Sequence, residues 1–141
     1  MFLGILQFIV FSNCQKNDTC RIEFSVNDQS VIDFSDTVLI NKSKTINLFL
    51  LNDQLFLDNK VIFTFKDAEN YEEILFVNLG QQYYVYIYPR YKGQIGPYTD
   101  TFKNGVLIDV SSTDIKIFQH LEYFEKVDVC DNIKKTVSKM Q

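Results

Sequence analysis

The side chains of this chain that could carry out chemistry are few and scattered. His120 is the single histidine in 141 residues. With no second histidine at metal-ligand spacing and no nucleophile signature nearby, it reads as a surface or packed residue rather than a base. Asp67, Glu69, Glu72 and Glu73 crowd carboxylates into one short stretch. Such oxygens suit calcium, but the stretch lacks the loop glycine and the ligand spacing of an EF-hand, and it reads as a solvated acidic loop. Glu122 and Glu125 are two close carboxylates, yet sequence spacing alone does not set a pair across a sugar ring. Neither Cys-x-x-Cys, Gly-x-Ser-x-Gly nor a phosphate-cradling glycine loop occurs. The expectation is a protein that is not an enzyme and takes no metal or cofactor.

The cysteines are Cys14, Cys20 and Cys130. Met1–Phe11 is almost wholly apolar, broken only by Gln7. The run is too short for a stable bilayer span and has the length of a signal-peptide core, although no Lys or Arg precedes it. Residues 1–14 therefore read as a signal peptide cleaved after Cys14. Alternatively they are a lipoprotein signal, with Phe11-Ser12-Asn13-Cys14 as a loose lipobox and Cys14 as the lipid anchor, the one membrane attachment expected. The competing reading is a buried first strand of a cytosolic protein. If Cys14 leaves or is lipidated, Cys20 and Cys130 remain as a pair, which a small secreted domain would oxidise. Closing so long a loop stabilises a fold by roughly 4 to 5 kcal/mol in the chain-entropy model. In a reducing compartment the two would be unrelated buried thiols. Asn17-Asp18-Thr19 and Asn41-Lys42-Ser43 match the N-glycosylation pattern, making Asn17 and Asn41 acceptors if the chain passes through a eukaryotic secretory route.

The remaining chemical feature is aromatic. In Tyr83–Pro89, Val85 and Ile87 alternate with Tyr84, Tyr86 and Tyr88. A strand sends successive side chains to opposite faces, so the aliphatics point to a core and the tyrosines away from it. An outward row of Tyr84, Tyr86 and Tyr88, with Arg90, Tyr91 and Tyr98 at the adjoining turn, is a candidate contact surface, because Tyr offers large area and a polar tip. Tyrosines also favour strands and simply cover sheets, which is the plainer reading. Pro89 donates no N–H and should end the strand or mark a sheet edge.

The spacing Tyr83-x-Val85-x-Ile87, followed by Gly96-Pro97-Tyr98-Thr99, resembles the end of a fibronectin type III domain, with Val106–Val110 as the last strand. The resemblance spans Leu79–Val110. The family's Leu-Pro-Gly turn is present only as Leu79-Gly80, and its buried tryptophan is missing, since the chain has no Trp. The resemblance implies an immunoglobulin-like sandwich.

The elements that would position these residues are short strands. Apolar residues make up 46% of the chain, which argues against disorder. The net charge of −4 and the lack of a basic run argue against nucleic-acid binding. Cys20–Val26 alternates with Ile22, Phe24 and Val26 inward. Val31–Phe34 and Thr37–Ile40 are short candidates. Thr45–Leu51 and Lys60–Lys66 read as a hairpin pair around Asn52-Asp53, with Leu55–Leu57 between them. Ile74–Leu79 leads into the tyrosine strand. This recurrence fits an all-β, antiparallel immunoglobulin-like sandwich over 15–141. A C-terminal extension begins near 111. Within it Ile115–Val129 reads mainly as a strand with Ile115, Ile117, Leu121, Tyr123, Val127 and Val129 in phase, though Ser112-Thr113-Asp114 could also cap a helix with the stripe Ile117, Leu121 and Phe124. Asp131–Met140 reads as a terminal helix capped by Asp131.

Taken together the residues read as a non-enzymatic binding or adhesion module, secreted or held at the extracellular surface, meeting another protein or a glycan. The alternative is a small β-barrel carrier enclosing an apolar ligand.

Overall fold

The computed structural model describes residues 19–25, 37–43, 46–94 and 102–139. Met1–Cys14, Asn17, Val26, Val31–Phe34 and Gly96–Thr99 with Tyr98 lie outside the described residues. The described strands are β1 (Cys20–Ser25), β2 (Val38–Lys42), β3 (Asn47–Leu51), β4 (Gln54–Leu57), β5 (Lys60–Thr64), β6 (Ala68–Leu79), β7 (Gln82–Tyr91), β8 (Gly105–Asp109) and β9 (Lys116–Leu121). A 3-10 turn at Lys126–Asp128 and one helix, α1 (Val129–Lys139), come after them. The chain is thus mostly β, and among the described residues its helix is confined to the C-terminal end.

Two antiparallel sheets form, ordered β1-β6-β7-β8-β9 and β2-β3-β4-β5. Each is built mainly from consecutive strands, because the turns are short. Asn52 and Asp58 adopt left-handed backbone at φ 58 and 57, and Gly80 does so at φ 67. Asn, Asp and Gly tolerate that region best. The expected hairpin is therefore corrected to three strands. Asn52-Asp53 turns β3 into β4 and Asp58-Asn59 turns β4 into β5, so Leu55–Leu57 is a full partner between them. The expected acidic loop is also corrected. Only Asp67 sits in a turn, at φ 65, while Glu69, Glu72 and Glu73 belong to the long strand β6.

A single core lies between the sheets. Leu48, Leu50 and Leu55 from one sheet face Ile74, Phe76, Val85, Ile87 and Ile108 from the other, each no more than 1% exposed. Val85 and Ile87 point inward, as their alternation requires. β1 contains a bulge between Ile22 and Phe24. An extra residue reverses the facing of the side chains beyond it. Phe24 accordingly packs in the shared core, whereas Ile22 packs on the outer face of the five-stranded sheet. The expectation that Ile22 and Phe24 share one face is thus corrected.

Pro89 does not end β7, which runs on to Tyr91. The last β7–β8 pair is Ile87 with Val106, so beyond Ile87 no neighbour on that side requires an N–H. Val106–Ile108 pairs with Val85–Ile87, and β8, expected as the last strand, is followed by β9, which pairs beside it.

The outer face of the five-stranded sheet carries a second core. Leu75, Val77, Tyr84, Tyr86, Tyr88 and Leu107 pack there against Phe118, Phe124, Val129 and Ile133. The chain leaves β9 at one edge of the sheet, crosses the tyrosine row, and enters α1. Cys130 then bonds to Cys20 of β1 at the opposite edge, with Cα atoms 6.3 Å apart. The expected Cys20–Cys130 disulfide is present. α1 begins at Val129, so Asp131 lies in its first turn instead of capping it. There its carboxylate still faces the positive end of the helix dipole.

Candidate functional site

The segment that crosses the sheet shapes a recess of the surface. Its construction starts at Gly105. A Cβ there would lie 2.7 Å from the Leu121 carbonyl oxygen and 3.0 Å from that of Glu122. Only glycine lets β8 approach the end of β9 so closely. The β8–β9 register shifts between Gly105 and Leu107, and His120 takes left-handed backbone at φ 61. Both features turn the chain off the sheet and over the tyrosines.

Tyr86 fixes the crossing. Its hydroxyl donates to the Glu122 carbonyl at 2.8 Å and accepts the Phe124 N–H at 3.0 Å. Its ring stacks on Phe124 with centroids 4.5 Å apart. The Tyr88 hydroxyl donates to the Phe102 carbonyl at 2.6 Å, and the Tyr123 hydroxyl donates to Glu73 Oε2 at 3.0 Å. Burial pushes the Tyr86 phenol well above its ordinary range. Burial, then the charge of Glu73, does the same to Tyr123. These phenols are neutral hydrogen-bonding fixtures across ordinary pH, not acids or bases.

Against this frame lies an open groove of about 390 Å³ between β9 and α1. Lys103, His120, Lys135 and Lys139 border it, with Glu122 as its carboxylate and Asn132 as a polar amide. Lys103, Lys135 and Lys139 are exposed, and none is ion-paired with another described residue. The Thr136 hydroxyl is already used, donating to the Asn132 carbonyl at 2.8 Å. The arrangement offers several mobile positive charges over a rigid floor, which suits binding of an anion.

The residues singled out in the sequence fall elsewhere. Tyr84, Tyr86 and Tyr88 are 4%, 0% and 0% exposed, so they cannot form a contact surface, and that expectation is corrected. The C-terminal segment covers them and turns the row into a core. Arg90 and Tyr91 are half-buried at the end of β7. Gln94 holds that turn: its carbonyl accepts from the Arg90 guanidinium at 3.3 Å, and its Oε1 accepts the Tyr91 N–H at 3.1 Å. Asn41 sits half-buried on β2. Among the described residues no group of His, Cys, Asp and Glu is placed to hold a metal ion, and no helix is long and apolar enough to cross a membrane.

Sequence reasoning missed the lysines of the groove. Lys134, Lys135 and Lys139 read from the sequence only as charges suited to the later turns of a terminal helix. Lys103 joins them through tertiary structure alone, and no local spacing signals it. No family model, curated protein or solved structure matches the chain.

Proposed function

We propose that this chain is a non-enzymatic binding module of the extracellular surface, and that its contact surface is the groove between β9 and α1. The observation that carries the reading is a concave, solvent-open recess whose floor is locked by buried hydrogen bonds from Tyr86. Binding sites of this kind are concave and largely pre-formed. The Cys20–Cys130 bond fits an oxidising compartment, which supports secretion or surface display, with or without lipid at Cys14.

The immunoglobulin-like assignment draws its support from the β7–β8 pair and from two sheets sharing one core. Strand order departs from the family's arrangement, in which each sheet mixes strands distant in sequence, because β2–β5 form one uninterrupted meander. The carrier alternative needs a closed barrel or an enclosed cavity. The described strands form two separate sheets with free edges, and their shared core is filled from both sides.

The test uses fluorescently labelled chain on intact cells of its source. Saturable binding, competed by unlabelled chain, is the expected result. Titration with an environment-sensitive apolar dye should give no stoichiometric uptake; one dye per chain, with no cell binding, would favour the carrier.

A further inference from the structure

We infer that the β9–α1 groove takes the anionic groups of an acidic glycan, sulfate or carboxylate on a sugar chain. The inference rests on the reading of this groove as the contact surface.

Charge is the first ground. The chain carries a formal net charge of −4, yet three lysines converge on this one recess against a single carboxylate, Glu122. They come from two distant parts of the chain: Lys103 precedes β8, while Lys135 and Lys139 lie on α1. His120, from β9, sits among them. Solvation of one helix face does not account for a convergence that depends on the tertiary fold. Local energetics favours it only in part: Asp131 stands four residues before Lys135 and offsets its charge, but Lys135 and Lys139 also stand four residues apart on one helix, where like charges repel. The helix dipole compensates for Lys139 in the last turn. It does nothing for Lys103, which adds a further positive charge from outside the helix. An anion in the groove relieves all three at once.

The class of anion is set by the lining. Lysine ammonium groups are mobile point charges that do not demand planar, bidentate partners. They match oxyanions spaced along a flexible chain better than one buried phosphate. The groove is open, so it admits a segment of polymer instead of enclosing a small ion. Asn132 and Gln119 provide amides that donate to and accept from sugar hydroxyls, and Glu122 accepts from them.

The test compares the parent chain with Lys135→Glu/Lys139→Glu and with Lys60→Glu/Lys66→Glu. The second variant changes net charge equally at exposed positions on and beside β5. Binding to an immobilised sulfated polysaccharide is measured at low and at moderate ionic strength, with a neutral polysaccharide, anionic phospholipid vesicles and polyglutamate as further arms. Inorganic sulfate is added as competitor. The expected result is salt-sensitive binding of the sulfated polymer by the parent and the β5 variant, weakened about tenfold or more in the groove variant. Free sulfate should compete only in large excess. The groove variant should melt somewhat below the other two, because Lys139→Glu places a negative charge at the C-terminal end of α1, so binding is compared at a temperature where all three are folded. Equal weakening in both variants, no binding of the sulfated polymer, or tighter groove-dependent binding of vesicles or polyglutamate would overturn the inference. If the chain binds cells but not the polysaccharide, this inference fails and the binding-module reading stands; if it binds neither, both fail.

Discussion

Tyr86 shows how one residue can change role without changing place. Its strand position and facing come from two-residue alternation, and the sequence alone puts it opposite Val85 and Ile87. What the sequence does not give is the cover over it. The hydroxyl bridges Glu122 and Phe124, and the ring stacks on Phe124, so the residue anchors the groove from beneath. Tyr86→Phe keeps the ring and leaves the buried Phe124 N–H, and the part-buried Glu122 carbonyl, without that partner. Such a loss costs about 1–3 kcal/mol, and equilibrium urea unfolding should read a destabilisation in that range. The same burial has a consequence at high pH. Tyr71, Tyr86 and Tyr123 are all pushed above the ordinary phenol value of 10.0. In the unfolded chain these phenols ionise near that ordinary value, while the folded chain holds them neutral. Above it the unfolded state has released protons that the folded state retains, so stability falls as pH rises. Below it the phenols add no slope. Urea midpoints should therefore hold steady below about pH 9 and drop by about pH 11, with phenolate absorbance of these rings appearing only on unfolding.

At the scale of elements, the C-terminal segment decides most. Its strand character was legible from residue types, but its phase was not. Ile117 was expected inward with Leu121, yet Ile117 is 37% exposed and Phe118 is buried. The reason is the bulge opposite Gly105–Leu107 together with the left-handed His120, which break the alternation on which phase rests. The reversal of Ile22 against Phe24 in β1 has the same cause. Bulges insert a residue with no compositional mark, so faces were legible in β7, where aliphatics and tyrosines alternate, and illegible near the bulged ends. α1 is held over the tyrosines by apolar contacts of Val129 and Ile133 and by the disulfide. Replacing Cys20 and Cys130 with Ser should lower stability by up to roughly 4 to 5 kcal/mol in the chain-entropy model. Acrylamide should then quench tyrosine fluorescence more readily, because the cover loses its tie to the far edge. Unchanged stability and quenching would show that packing alone retains the helix.

For the whole molecule, fold class was legible because strand spacing, apolar content and turn residues agree on it. Arrangement was less so. The two-sheet division depends on which strands pair across long connections, and short apolar runs carry no label for their neighbours. The candidate site was the least legible part, since Lys103 reaches the groove only once β8, β9 and α1 are assembled. The disulfide has one more consequence, and it is mechanical. Cys20 and Cys130 are 110 residues apart in sequence, and every described strand lies between them or begins at them. A pull applied outside this pair passes from one sulfur to the other and bypasses both sheets. The domain then acts as a rigid link under tension. In single-molecule stretching of oxidised protein, residues 20–130 should release no length. After reduction, unfolding should add a contour step of roughly 360–400 Å, at about 3.3–3.6 Å per residue. A step of that size before reduction would show that the bond does not carry the load.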